Sequence, residues 1–227
     1  MNPIIVQTSK NVTLLGAGEA SKALLAASLK FAPYLVAVDG GAELALNCGE
    51  TPKKVIGDFD SISRSTLARI PVGQQHHITE QDSTDFEKCL SRIVSPLILG
   101  VGFLGRRVDH QLAAFNALVR HSASPCVLIG KYDLVFHLVG ELDLDLKPGS
   151  RLSLFPMRMV QGESLGLQWP VNGMGFAPDG RIGTSNQVLD GPVRLKFPDP
   201  GMLVILPPEA LASVVKALLA HSDARAR

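Results

Sequence analysis

The 227-residue sequence is poor in cysteine: Cys48, Cys89 and Cys126 lie far apart and form no CxxC pair. That excludes a disulfide framework and a cysteine-built zinc site, and it fits a reducing, cytoplasmic setting. Aromatic residues make up 5% of the chain, with Trp169 the single tryptophan, and charged residues only 19%. A formal net charge of +1 provides no electrostatic footprint for a nucleic acid. No apolar run approaches the roughly 18 residues that span a bilayer, and the opening MNPIIVQTSK lacks a basic start followed by a long apolar core. The expectation is a soluble, unexported protein with no nucleic-acid and no membrane partner. It is long enough for two modest domains, each with its own core.

What is present divides into two textures. From Asn11 to about Gly130, the apolar runs VTLLGAG, YLVAVD, KKVIGDFD, HHIT, LILGVG and CVLIG alternate with segments such as EASKALLAASLKFA, DFEKCLSRIV and DHQLAAFNALVRH. In the latter, apolar residues recur every three or four positions, as at Phe86, Leu90, Ile93 and Leu97, which predicts amphipathic helices. Alternation of this kind predicts an α/β domain with a mostly parallel, doubly wound sheet. After Tyr132 short segments broken by Gly and Pro follow: LVFHLV, LDLDL, RLSLFPM, GLQWPV, GRIGTS, GPVRLKF and GMLVILP. They predict an antiparallel β-sandwich or barrel. A closing helix is expected over PEALASVVKALLAH, with Pro208 at its first position.

Asp39, Asp58, Asp60, Asp82, Asp85 and Asp109 each stand just past an expected strand of the first half. In a parallel sheet that edge is the ligand side, and crowded carboxylates there are best stabilised by a hard cation such as Mg²⁺ that also meets substrate phosphates. For any single acid, a helix cap or first-turn position explains the residue as well. Asp58 and Asp60 resist that explanation, because they flank Phe59 and would project the same way if the strand continued. In Gln81-Asp82-Ser83-Thr84-Asp85-Phe86-Glu87-Lys88, Thr84 with Glu87 reads as a capping box, and the same helix start could present amides and Asp85 to a metal-bound phosphate. Gly16 and Gly18 suit either a phosphate approach or a tight turn. The stretch from Gly102 through Gly105, Arg106, Arg107 and Asp109 to His110 sets a flexible loop and two guanidiniums before a helix start, which suits phosphate oxygens or a basic surface loop.

In this order the motifs Asp39-Gly40-Gly41-Ala42, Ile56-Gly57-Asp58-Phe59-Asp60-Ser61, Gln81 to Lys88 and Arg107-Val108-Asp109-His110 resemble those of the thiamine pyrophosphokinases. Gly166-Leu167-Gln168-Trp169-Pro170 and Thr184-Ser185-Asn186 are similar to that family's thiamine-contacting segments. The resemblance implies a Mg²⁺-dependent transfer of the pyrophosphoryl group of ATP to thiamine, in a homodimer with shared active sites. Residues 1–138 would form the α/β nucleotide- and Mg-binding catalytic domain, and residues 139–227 a β-sandwich for thiamine binding and dimerisation. Asp58, Asp60 and Asp85 would hold the metal, with Asp82 assisting. Asp39, Gly40, Gly102, Arg106, Arg107, Asp109 and His110 would serve the nucleotide. Gln81, Thr84, Trp169, Ser185 and Asn186 would serve the substrate. The chain departs from the family pattern at Glu43, where Asn is usual, and at Leu104 and Arg106, where a small hydroxyl residue and a glycine are usual. All three changes fall on the nucleotide side. A rival reading treats Asp58 and Asp60 as the DxD pair of an aspartyl-phosphate phosphatase, and another treats the first half as a nucleotide sensor.

Overall fold

Three of the six apolar runs of the first half bury every residue of their strands, and such runs are stable only inside a sheet covered on both faces. The computed structural model describes residues 3–105, 107–121 and 125–225. It divides into two units, one made of residues 1–117 and 126–131 and the other of residues 118–125 and 132–227.

In the first unit β1 (Val6–Gln7) precedes β2 (Val12–Leu15), α1 (Lys22–Leu29), β3 (Tyr34–Val38), α2 (Gly41–Asn47), β4 (Lys54–Gly57) and α3 (Arg64–Leu67). Then come a 3₁₀ turn at Val72–Gln74, β5 (Gln75–His77), α4 (Asp85–Leu90), β6 (Ile93–Val94), β7 (Ile98–Val101), α5 (Val108–Arg120) and β8 (Cys126–Ile129). The main sheet runs β5-β4-β3-β2-β7-β8, and every pairing in it is parallel. From β2 the chain builds outward through β3, β4 and β5, then returns to pair β7 on the other side of β2. The strand order therefore reverses between β2 and β7, the switch point at whose carboxyl edge α/β sheets form a crevice. Helices are tied to this sheet by specific contacts. The buried Thr13 hydroxyl on β2 lies 2.8 Å from Ser28 Oγ and donates to the Ala32 carbonyl at 2.6 Å. Ala37, Ala42, Val55, Ile62 and Ile70 form a packed cluster joining β3, α2, β4 and the α3 region.

All six apolar runs form strands where the periodicity expects them. The helix expected across DFEKCLSRIV stops early, at Leu90. Ile93 and Val94 pair instead with Val6 and Gln7, and the Arg92 carbonyl accepts the N–H groups of Ile5 and Val6 at 2.9 and 3.2 Å. This backbone capture comes from the far N-terminal segment, so no local propensity reveals it.

The second unit contains β9 (Leu134–Leu144), β10 (Arg151–Pro156), β11 (Val160–Leu165), β12 (Met174–Phe176), β13 (Gly183–Gln187) and β14 (Val193–Leu206). A 3₁₀ turn at Pro208–Ala210 then leads into α6 (Leu211–Arg225). β14 is the spine. It pairs antiparallel with β9 along both of its arms, with β11 on the first and β10 on the second, while β12 adds to β11 and β13 to β10. Segments read as two short strands, LVFHLV with LDLDL and GPVRLKF with GMLVILP, are thus each one long strand; in β14 the register shifts between Phe197 and Met202. β11 falls on VQGESL rather than on GLQWPV, because its inward positions are the small residues Gly162 and Ser164. A Cβ on Gly162 would collide with the Phe197 ring.

At the shift in β14, the Gly201 N–H donates to His137 Nε2 at 2.8 Å. Burial pushes the His137 imidazole down to about 4, with Arg158 adding to the effect. The folded state therefore holds this ring neutral, while the unfolded chain protonates it near pH 6.5. Stability from this group is complete above pH 6.5 and is lost as pH falls from there towards 4, by about 2–3 kcal/mol. Urea unfolding at a series of pH values should show this loss in the native chain, and His137→Gln should flatten that part of the profile.

Candidate active site

The loops at the β2/β7 switch point and those following β3 and β4 enclose a cleft of about 520 Å³, lined among others by Gly16, Asp39, Asp58, Asp60, Asp85 and Lys88. Glycine is required where two of its walls meet. Gly102 has φ +86, and a Cβ there would stand 2.6 Å from the Gly16 carbonyl oxygen; a Cβ on Gly18 would collide with the Gly102 carbonyl. The two glycine loops thus touch backbone to backbone, which explains Gly18 by packing and leaves Gly16 in the cleft wall.

β4 ends at Gly57, so the acids of the DFD segment do not share a strand face as a continued strand would have arranged. They converge through a turn instead. Phe59 has φ +64, its side chain packs against the Ala37–Ile70 cluster, and its ring stacks on His77 with centroids 5.2 Å apart. His77 Nε2 donates to the Asp58 carbonyl at 2.8 Å, and the Asp60 N–H donates to Asp58 Oδ1 at 3.3 Å. A left-handed non-glycine residue costs about 1 kcal/mol or more, and here packing on both sides of Phe59 offsets it. The turn sets one carboxylate oxygen of Asp58 and one of Asp60 within 4.8 Å of one from Asp39.

Asp39 also sits at positive φ, +45, immediately after β3, and its side chain is buried. Its Oδ2 accepts the Ser61 N–H at 3.2 Å, while its buried Oδ1 has no hydrogen-bond partner among the described residues. Burial raises its carboxyl above the usual range, with nearby Asp85 and Asp60 adding to the rise. Asp58 is held lower than usual. Burial alone would raise it, but the Asp60 N–H, the Lys88 ammonium and the Gln81 amide together outweigh burial. Lys88 Nζ lies 3.2 Å from Asp58 Oδ2 and 3.0 Å from Asp85 Oδ1, and its side chain is only 2% exposed. Burial disfavours its charge, but the two carboxylates more than reverse this, so it stays protonated. Gln81 Nε2 donates to the same Asp58 oxygen at 3.2 Å.

Thr84 caps α4 by accepting the Glu87 N–H at 3.3 Å, as the capping-box reading expects, and it lines the cleft with Gln81. Gly40, Gly102, Arg107 and His110 line it as well, whereas Asp82 and Asp109 are not among its lining residues. Asp109 is engaged by the Arg107 guanidinium at 2.6 and 3.2 Å, a pairing that draws its carboxyl down to about 2. Arg106 lies outside the described residues. Trp169, Ser185 and Asn186 fall in the second unit. There the buried Asn186 side chain donates to the Trp169 carbonyl at 2.7 Å and accepts the N–H groups of Trp169 and Gln187 at 3.2 and 2.9 Å. The indole remains 55% exposed, and Ser185, at φ +60, donates its N–H to Ser153 Oγ at 3.0 Å.

Sequence reasoning gives Lys88 no role, counts Asp39 among the acids at the sheet edge and assigns it, by the family resemblance, to the nucleotide. A signal for Lys88 was available: it stands three residues after Asp85 in a helix, on the same face. For Asp39 the position after a strand signalled the edge, but its approach to the DFD turn depends on the pairing of β3 with β4. An all-oxygen donor set with an unpartnered buried carboxylate oxygen suits a hard divalent cation, and a glycine-walled cleft of this volume suits a phosphorylated small molecule.

Residues 25–129 match the family model described as "Thiamin pyrophosphokinase, catalytic domain". The chain is 30% identical over 166 residues to a rice (Oryza sativa subsp. japonica) protein named thiamine pyrophosphokinase 1, an alignment covering 63% of this chain and 62% of that protein. The Arabidopsis thaliana protein of the same name is 29% identical over 171 residues, 64% of this chain and 61% of its own. The chain thus spans about three fifths of the length of these plant relatives. In fold it is similar to a solved thiamin pyrophosphokinase from Candida albicans, with a TM-score of 0.72 at 17% identity over 90% of this chain and 95% of that one. A solved thiamin pyrophosphokinase from Geobacillus thermodenitrificans gives 0.70 at 19% identity, over 86% and 96%.

Asn186→Ala removes two hydrogen bonds to Trp169 and one to Gln187, and the chain should lose about 2–3 kcal/mol of stability. Since Trp169 is the only tryptophan, acrylamide quenching of its fluorescence should rise in the variant while far-ultraviolet circular dichroism stays native-like.

Proposed function

We propose, from the match of residues 25–129 to the thiamin pyrophosphokinase catalytic-domain model, that the chain is a thiamine pyrophosphokinase, which transfers the pyrophosphoryl group of ATP to the hydroxyl of thiamine. The observation that carries this reading is the convergence of Asp39, Asp58 and Asp60 in a cleft walled by the two glycine loops. Asp58, Asp60 and Asp85 would hold Mg²⁺, and the unpartnered Asp39 Oδ1 supports adding Asp39 to that set. Such an ion supplies neutralisation of the triphosphate's charge.

The chain's own residues have positioning and electrostatic work to do, because phosphoryl-type transfer needs little covalent help from protein. In the proposed reaction the thiamine hydroxyl attacks the β-phosphorus of ATP in line, the bond from that phosphorus to the α-phosphate bridging oxygen breaks, and AMP leaves. The glycine loops, with Gly40 and His110, would cradle the nucleotide, and Arg107 would reach phosphate by exchanging its exposed Asp109 partner. Asp82 and Asp85 are the candidates to take the hydroxyl proton; Asp85 lines the cleft, which favours it over Asp82. The phosphatase reading is less favoured: both Asp58 oxygens are engaged, one of them by Lys88 and Gln81, which leaves a poor nucleophile.

The antiparallel unit would be the family's β-sandwich. Trp169, presented by Asn186 with its indole exposed, would stack on a thiamine ring, with Ser185 beside it and Gln81 contributing from the catalytic unit of a homodimer. A cytoplasmic location fits the three free cysteines.

Incubation of the purified chain with thiamine, ATP and Mg²⁺ should yield thiamine diphosphate and AMP in equal amounts. ADP with thiamine monophosphate, or no thiamine-dependent product, would overturn the assignment. Asp58→Asn should lower turnover by about 100-fold or more, because it removes a charge aimed at the reacting phosphates.

A further inference from the structure

Lys88 is among the largest fully buried side chains of the chain, at 2% exposure, yet it carries a charge. Isolating an ammonium from water costs several kcal/mol unless carboxylates compensate it. Here two do: Asp85 Oδ1 at 3.0 Å and Asp58 Oδ2 at 3.2 Å. The Lys88 backbone is tied down as well, since its carbonyl accepts the buried Arg92 Nη1 at 2.8 Å and Ser91 Oγ at 3.1 Å. The guanidinium lining the cleft among the described residues, that of Arg107, is bonded to Asp109. Among the described residues, Lys88 is therefore the cation that touches the acidic cluster, through two of its four carboxylates, Asp58 and Asp85.

We propose that Lys88 is a built-in counter-cation: its ammonium bridges Asp58 and Asp85 in the metal-free protein, and a divalent cation must compete with it for these same two carboxylates. Lys88 is thus a positioning residue that keeps the acidic cluster assembled without metal and weakens its affinity for metal alone. Tight occupancy then awaits the extra negative charge of a nucleotide triphosphate. The inference rests on the reading of the cluster as a divalent-cation site.

The test is a calorimetric titration of Mn²⁺ into the nucleotide-free chain and into Lys88→Met, which keeps an unbranched stem but carries no charge. The variant should bind Mn²⁺ about tenfold more tightly, the effect of removing one positive charge a few ångströms from the site at an effective dielectric well above that of a dry interior. Its melting temperature should be lower than that of the native chain without metal and should rise more on Mn²⁺ addition. Equal or weaker Mn²⁺ binding by Lys88→Met, with normal binding by the native chain, overturns the role of Lys88 alone, and that pattern with weakened ATP binding would make Lys88 a phosphate ligand instead. Absence of Mn²⁺ binding by either protein, with or without ATP, overturns the metal reading and this proposal with it. A measurement on the native chain keeps the proposal testable if the variant does not fold. In ¹⁵N-lysine spectra the buried ammonium should give an exchange-protected signal that shifts or broadens on adding MgCl₂ without nucleotide; an unchanged signal at saturating MgCl₂ refutes the competition.

Discussion

Mutual repulsion among carboxylates governs the architecture of the first unit. Asp39, Asp58 with Asp60, and Asp85 come from three different segments of the chain, and bringing them to one sheet edge raises the free energy of every ionised pair. The fold distributes that cost. Burial and its acidic neighbours raise the Asp39 carboxyl, hydrogen bonds hold Asp58 down, and the buried Lys88 bridges Asp58 to Asp85. Removing any one of these leaves the others less compensated, which is the energetic pattern of a site built to receive positive charge.

The scaffold that holds the acids in place is apolar. Phe59 sits between two acids and anchors the turn that aims them, packed on the α2/α3 cluster and stacked on His77. Phe86, on the first turn of α4, tilts against Phe103 from the loop after β7, with centroids 4.5 Å apart. The DFD turn and the start of α4 are therefore each pinned by an aromatic neighbour in sequence, so packing sets the backbone on which the polar contacts are made. The backbone-to-backbone contact of Gly18 with Gly102 has the same purpose on the switch-point side: any side chain there would push the two loops apart and open the cleft.

A different logic rules the second unit, where one long strand, β14, organises all the others. Its register shift near Gly201 lets its two arms serve different partners, and His137 stabilises that shift as a neutral acceptor. Among the described residues, the Asn186 side chain bonds to backbone groups of Trp169 and Gln187, so its contribution is to present Trp169.

Period and burial made much of this legible in the sequence. Strands buried on both faces must be continuously apolar, so VTLL, YLVAV, LILGV and CVLI declare themselves, and helices of 3.6-residue period between them imply a parallel sheet with acids at its carboxyl edge. Thr84 and Glu87 announce a helix start because capping chemistry is local. What depends on distant segments was decided only by tertiary structure: the end of α4 at Leu90, the joining of two runs into β14, and the inward-facing small residues of β11. The same holds for the site. Asp39 joins Asp58 and Asp60 only because β3 pairs with β4, and Lys88 is a buried bridge rather than a solvated helix residue only because α4 packs against that edge. Charge interactions at 3 Å are set by three-dimensional placement, and no one-dimensional pattern encodes them.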